Sequence, residues 1–212
     1  GPFDHFLVQF FSYLGVAVRM HFFLVRREQD RVPSRHAAKF LHERARDSSA
    51  VSAGAQLALV SDPNARISAS SLSTLLDVSR RLLDDENVGL HAGQRADAGR
   101  LGLFGLLQQT AANPRALAPV VRRFSRLLHD ESDFDLRERG GEALFTFRCE
   151  DGQRQSVELV VTALVSCARQ IWPTCPLQAV FFSHAAPSCS DEQTSFFRAP
   201  VHFDAPYNGY AI

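Results

Sequence analysis

The sequence lacks an excess of charge of either sign. Its 212 residues include 23 Lys and Arg against 23 Asp and Glu, so the formal net charge is zero. Proteins that hold nucleic acid usually carry a clear basic excess, because neutralising phosphates supplies most of their affinity. These 212 residues are therefore a poor candidate for binding DNA by themselves.

The sequence also lacks the cysteine and histidine spacings that mark metal and redox sites. The four cysteines are Cys149, Cys167, Cys175 and Cys189, and no two of them form a CxxC pair. This spacing suits neither a zinc ribbon nor a redox motif, and no HxxxH or HExxH arrangement occurs. We therefore expect free thiols in a reducing cytoplasm, and neither a metal nor another cofactor.

The motifs of common enzyme families are absent as well. The chain has no GxSxG nucleophile elbow, no phosphate-binding loop and no GxGxxG fingerprint. Cys175 has no recognisable orienting group or oxyanion site that would make it a nucleophile. The prediction is a protein that is not an enzyme and has no catalytic residues. An enzyme or a haem-type gas sensor remains an alternative hypothesis.

A long uncharged apolar run is missing too. The segment from Phe3 to Val25 is apolar, but charged residues interrupt it before it reaches the ~18 to 20 apolar residues of a membrane-spanning helix. Gly1-Pro2 looks like the scar of a cleaved expression tag, and Met20 is a candidate native start. We interpret residues 1–31 as a tag remnant plus an N-terminal apolar segment and residues 32–212 as one domain, with no membrane partner.

What the sequence does contain is a change of apolar period along the chain. Helical spacing recurs before residue 130 and again over 156–172, whereas apolar and polar residues alternate over 134–149 around Gly140-Gly141. Strands joined by such a tight turn are antiparallel. Further predicted elements are a strand at 177–184, a short helix after Ser190 and a last strand at 201–203. The predicted fold class is α+β, with N-terminal helices packed against a small antiparallel sheet and a long helix between the strand pairs.

Four motifs, in the same order between residues 62 and 208, carry a resemblance to a known family. Asp62 to Ile67 resembles a DPxARI turn, and Val88 to Gly93 resembles an xGLxxG step. A glycine- and leucine-rich block begins at residue 101, and a closing HxAP…FF…PVxF block begins at His184. Together they resemble the N-terminal arabinose-binding type of domain in AraC/XylS-family transcription regulators.

The resemblance implies a ligand-sensing regulatory domain of a bacterial transcription factor. In that family, a small effector controls DNA binding by two helix-turn-helix units that follow the sensing domain. No such units are present in these 212 residues, which agrees with the neutral charge. The implied partners are an effector, a second copy of the chain in a homodimer, and DNA only through the absent region. The alternative is a dimerisation or protein-interaction module with no small-molecule ligand.

The effector pocket is expected to be apolar, because the chain has 17 Phe and small-molecule sites are mostly apolar with few polar anchors. An apolar or amphipathic effector is therefore favoured over a free sugar. The residues predicted to line the pocket are Phe104, Leu107, Phe124, Phe145, Phe147, Trp172 and Phe182. Arg126 and Arg148 are candidate anchors for an anionic group of the effector.

Replacing the two arginines tests the anchor hypothesis. We expect Arg126→Ala or Arg148→Ala to weaken the response to an anionic effector about tenfold or more, because a charge-assisted hydrogen bond contributes ~1.5 to 3 kcal/mol. The measurement is effector affinity, with reporter transcription in the full regulator as a second readout. If both variants respond as the wild type does, neither arginine is an anchor.

Overall fold

A computed structural model describes the chain over residues 73–74, 76–77, 79–81, 84–98, 109–114, 116–117, 135–139, 142–147, 153–174 and 176–212. Several predicted features fall outside these described residues. They are the N-terminal segment 1–31, the Asp62–Ile67 motif, the block at 101–105 and the Gly140-Gly141 turn.

The strands of the described residues form one five-stranded sheet with the order β1-β2-β5-β3-β4. Its strands are β1 Asp135–Arg139, β2 Glu142–Phe147, β3 Ala179–Phe181, β4 Val201–His202 and β5 Asn208–Ala211. Neighbouring strands pair antiparallel except β3 and β4, which are parallel. Parallel neighbours need a crossover connection, and the chain between them contains a short helix. The α+β class is confirmed, with one parallel pair in a sheet that is otherwise antiparallel as predicted.

The predicted hairpin is present as β1 and β2. Leu136 pairs with Phe145 across it, and burial alternates along β2, with Ala143, Phe145 and Phe147 buried and the residues between them more exposed. The alternation seen in the sequence therefore reports which face of the sheet meets the core.

The sequence pattern did not predict β5, although this strand lies at the centre of the sheet between β2 and β3. Its four residues, Asn208–Ala211, include an asparagine and a glycine, both poor strand formers. Tyr210 pairs with Phe145 on one side and with Val180 on the other. Partners on both edges, rather than local preference, make this segment a strand.

Among the described residues, three helices have complete bounds: α1 Val88–Gly93, α2 Arg154–Ile171 and α3 Asp191–Phe197. The predicted long helix over 156–172 and the predicted short helix after Ser190 correspond to α2 and α3. Every residue of α2 from Gln155 to Cys167 is buried, polar ones included. None of the described helices is long and apolar enough to cross a membrane.

Two glutamines of α2 hold the backbone of the segment that contains α1. Gln155 donates to the Glu86 carbonyl (2.8 Å) and accepts from the Gly89 N–H (2.8 Å). About four turns further along the helix, Gln170 donates to the Ala96 carbonyl (2.7 Å) and accepts from the Ala98 N–H (3.0 Å). Each amide side chain thus donates one hydrogen bond to the backbone and accepts one from it, as a neighbouring strand would. The backbone groups in this contact therefore have hydrogen-bond partners.

Glycines allow α1 to approach α2 closely. A Cβ added at Gly89 would overlap the backbone oxygen of Gln155. One added at Gly93 would lie 2.6 Å from the Thr162 Cβ and 2.7 Å from the Leu159 carbonyl oxygen. Since these neighbours are mostly backbone atoms of a buried helix, they have little room to move away. The glycines of the Val88–Gly93 motif are therefore required by helix packing.

We expect Gly89→Ala to lower the free energy of unfolding by about 3 kcal/mol, because overpacking against backbone forces α1 away from α2. The measurement is urea denaturation followed by circular dichroism. Gln94→Ala, on an exposed residue just beyond α1, is the matched control and should stay within about 0.5 kcal/mol of the wild type. A Gly89→Ala midpoint equal to that of the control would contradict the close-packing argument.

Candidate functional site

Polar side chains form a connected network where α1, α2 and α3 meet, and we call this network the polar junction. It brings together residues from the α1 region, the start of α2, the loop after β3 and the first turn of α3. Its members are Asp85, Asn87, His91, Arg154, Glu158, His184, Glu192 and Gln193.

Glu158 is the centre of the polar junction and its side chain is fully buried. Its Oε1 accepts from Arg154 Nε (2.9 Å) and from Gln193 Nε2 (3.1 Å). His184 Nε2 lies 3.6 Å from the same oxygen. The second carboxylate oxygen, Oε2, is buried and has no hydrogen-bond partner among the described residues. One oxygen of this buried carboxylate therefore has hydrogen-bond donors, and the other has none among the described residues.

Asn87 and Gln193 connect the three helices. Asn87 Oδ1 accepts from Gln193 Nε2 (3.0 Å) and from Arg154 Nη2, and Asn87 Nδ2 donates to Glu192 Oε2 (3.1 Å). Gln193 is fully buried, and its Oε1 has no partner within the described part of the chain. The donors of the Gln193 amide are thus used inside the network, whereas its acceptor is not.

His91 closes the outer end of the polar junction between two carboxylates. Its Nδ1 is 2.9 Å from Asp85 Oδ2, and its Nε2 is 2.8 Å from Glu192 Oε2. Carboxylate oxygens only accept, so both contacts are hydrogen bonds when each ring nitrogen carries a proton. In that form the imidazole is a cation, and it joins α1 to the first turn of α3.

His184 lies at the inner end of the polar junction, and its tautomer follows from its partner. Nδ1 is 2.9 Å from the Ala185 carbonyl oxygen, which can only accept, so Nδ1 carries the proton. Burial lowers the pKa of His184 below its ordinary value of 6.5, which favours the neutral ring. Nε2 of the neutral ring is then an acceptor, and no described residue donates to it.

The ring of His184 is also part of an aromatic cluster. It stacks on Phe182 at a centroid distance of 5.0 Å and lies 5.7 Å from Phe203. Phe182 in turn contacts Phe197 of α3. The polar junction therefore borders an apolar wall on one side, and a group held there would contact both kinds of surface.

Four of the predicted pocket residues are described, and they occupy different places. Phe145 and Phe147 lie on the buried face of β2, and Phe145 stacks on Tyr210 at 5.4 Å. Phe182 is fully buried beside His184. Trp172 is partly buried and donates from Nε1 to the Ala111 carbonyl (3.3 Å). Only Phe182 borders the polar junction; the pocket-lining role of all four stays a prediction.

The remaining predicted pocket residues lie outside the described residues. They are Phe104, Leu107, Phe124, Arg126 and Arg148. Their role, and that of the two arginines as anion anchors, stays a prediction.

No local pattern in the sequence pointed directly to the polar junction. Glu158 falls on α2 among valines and leucines, where a single acidic residue looks like part of a solvated face. Asn87, just before α1, and Gln193, in α3, are 106 positions apart in the sequence. The one signal was indirect, since His91 and His184 each lie within a motif of the family resemblance.

The thiols and possible metal ligands offer no alternative site in the described ranges. Cys167 and Cys189 are free, as predicted, and burial raises the pKa of the Cys167 thiol to about 12, so it remains protonated. Among the residues that the structure describes, no group of three or more His, Cys, Asp or Glu side chains is arranged to hold a metal ion.

Comparison with known proteins decides the family. The family described as the arabinose-binding domain of AraC transcription regulator, N-terminal, matches residues 25–211. The chain belongs to this family. The resemblance inferred from the sequence motifs is thereby confirmed, and all four motifs fall inside the matched range.

One solved structure with a similar chain is the transcriptional regulator CdpR from Pseudomonas aeruginosa, at 16% sequence identity and a TM-score of 0.42. The similarity covers 58% of this chain and 42% of the CdpR chain, so it spans less than half of that regulator. No curated protein matches the chain.

The depressed pKa of His184 predicts a pH-dependent stability. As the pH falls below 6.5, the unfolded chain binds a proton that the buried ring resists, although Glu158 and Asp204 partly favour protonation and Arg154 opposes it. The free energy of unfolding should therefore decrease as the pH is lowered from neutral, by at most about 1.4 kcal/mol per pH unit for this group. Above pH 6.5 the contribution is fully present.

The test compares urea denaturation of the wild type and His184→Asn between neutral and mildly acidic pH. Asparagine keeps a donor for the Ala185 carbonyl but does not titrate. The difference between the two curves isolates His184 from the other histidines, and we expect the shallower slope in the variant. Parallel curves would show that this ring does not resist protonation in the folded state.

Proposed function

We propose that this domain is the ligand-sensing part of a bacterial AraC/XylS-type transcription factor. A small effector binds to it and changes how a C-terminal helix-turn-helix region of the full-length regulator binds DNA. The observation that carries the proposal is the family match over residues 25–211. The regulator works in the cytoplasm as a homodimer, and DNA binding belongs to the helix-turn-helix region.

The polar junction supports a sensing mechanism because it connects helices that are far apart in sequence. Asn87 precedes α1, Arg154 begins α2 and Gln193 belongs to α3, and their mutual contacts are side-chain hydrogen bonds. An effector that bonds to these groups would stabilise one arrangement of the three helices over another. The resulting shift can be no larger than the difference in the effector's affinity for the two arrangements.

An amphipathic effector fits the two surfaces that meet near His184. The aromatic rings of Phe182 and Phe203 supply apolar contact area, and the adjacent carboxylate and amide supply polar anchors. Ligand sites of this composition take their affinity from the apolar wall and their specificity from a few polar groups.

Native mass spectrometry of the purified domain, compared with its denatured mass, tests the proposal. We expect extra mass per chain that is lost on denaturation, together with a doubled mass for the homodimer. The chemical class of the bound molecule can then be read from its accurate mass and fragmentation. A dimer that neither contains nor takes up a small molecule would favour a dimerisation module instead and would contradict the sensing function.

A further inference from the structure

We propose that the polar junction is the subsite for a protonated primary amino group of the effector, which donates hydrogen bonds to Glu158, Gln193 and His184. The inference rests on the proposed sensing function, because the amino group belongs to the effector. It adds a chemical class that neither the family nor the sequence specifies.

The polar junction has more hydrogen-bond acceptors than its own donors satisfy. Arg154 and the Gln193 amide donate to Glu158 Oε1 and Asn87 Oδ1. Three buried acceptors have no donor among the described residues: Glu158 Oε2, Gln193 Oε1 and His184 Nε2. The Thr162 hydroxyl, one turn along α2, also has no partner there. An alkylammonium group has three donors and no acceptor, so it complements the three acceptors.

Burial makes this surplus energetically important. Glu158 and Gln193 are fully buried, and the His184 side chain is 10% exposed. An acceptor at such depth that lacks a donor destabilises the fold, and a charged acceptor does so more than a neutral one. A donor bound between α2 and α3 would remove that penalty, whereas a carboxylate or phosphate would add further acceptors to a place that already has too many.

Carboxylates are prominent in the polar junction, which contains those of Asp85, Glu158 and Glu192. The Arg154 guanidinium pairs with Glu158, and the His91 ring lies between Asp85 and Glu192. Near His184, the Asp204 carboxylate adds a further negative charge. A cation is therefore the complementary ligand, and a neutral hydroxyl group would satisfy one acceptor and no charge.

The polar junction extends from the interior to the surface and has aromatic rings beside it. Exposure rises from Glu158, at 0%, through Arg154, at 24%, to Glu192, at 53%, so that the network reaches solvent at its outer end. The rings of Phe182 and Phe203 lie beside His184, where the carbon chain of such a molecule would pack.

A buried water molecule is the competing occupant, since it also donates hydrogen bonds. A water molecule is neutral and an ammonium group is a cation, so the two kinds of site differ in which added solutes they bind. A water-filled network has no preference among added solutes, whereas an ammonium subsite selects a cation over a neutral or anionic molecule with the same carbon chain.

The experiment titrates the domain with n-butylammonium, n-butanol and n-butyrate at constant ionic strength. The readouts are the thermal unfolding midpoint and the NMR signals of the His184 ring, assigned with His184→Asn. We expect n-butylammonium alone to shift the ring signals, and to raise the midpoint by about 3 °C at tenfold excess over its Kd. Equal responses to the three probes, or none, would overturn the inference in favour of water.

Glu158→Gln supplies the decisive variant, because it keeps the shape of the side chain and removes its charge. We expect it to weaken n-butylammonium binding at least about tenfold. Glu142→Gln makes the same change on an exposed residue of β2 and should bind as the wild type does. Unchanged binding in Glu158→Gln would overturn the inference. If that variant does not fold, the comparison of the three probes on the wild type decides alone.

The outcomes also separate this inference from the sensing function. A co-purified effector without an amino group would overturn the ammonium subsite and leave the sensing function intact. A protein that takes up no small molecule of any class contradicts the sensing function itself.

Discussion

The close contact between α1 and α2 is the constraint on which the rest of the described structure depends. Two glycines one turn apart, Gly89 and Gly93, remove the side chains that would otherwise keep the helices apart. Gln155 and Gln170 can then reach the backbone on either side of α1. These two amide side chains supply hydrogen-bond partners for backbone groups before, in and after α1 that helical bonds leave open.

The same contact brings charged groups together in the interior. With α1 against the start of α2, Asn87 lies within bonding distance of Arg154, and Gln193 of α3 completes the connection. A buried ion pair such as Arg154 with Glu158 is weak support for stability, because desolvation offsets much of its attraction. This pair lies in the first turns of α2, where Glu158 is fully buried, and the proposed recognition role gives a reason for a buried charge there.

The polar junction can both bind a ligand, as proposed, and connect the three helices α1, α2 and α3. The polar junction is held by side chains from three helices, whereas the sheet is held by backbone bonds and stacked rings such as Phe145 on Tyr210. A ligand at the polar junction would act on the positions of the helices and leave the sheet in place. This division suits a domain whose output is a change of arrangement, because packed interfaces switch between discrete states.

Local periodicity explains what the sequence predicted well. The hairpin of β1 and β2 and the long helix α2 were predicted because their apolar residues repeat at periods of two and of 3.6, which each segment shows without its neighbours. The family was also recognisable, since its motifs are short and in order. Helix α2 begins two residues before the predicted start, at the polar residues Arg154 and Gln155, which the apolar pattern does not include. Strand β3 is shorter than predicted, because the apolar pattern continues beyond its paired residues.

The amino-acid sequence by itself determined the class of fold, the family, and the helical or strand character of the strongly periodic segments. Tertiary structure alone decided the rest. The segment Asn208–Ala211 becomes the central strand only because β2 and β3 flank it. Glu158 becomes the centre of the polar junction only because Gln193, 35 positions away in sequence, donates to it, while Asn87 bonds to Arg154 from 67 positions away. Burial and hydrogen-bond partners of this kind depend on contacts between distant segments, which no local pattern contains.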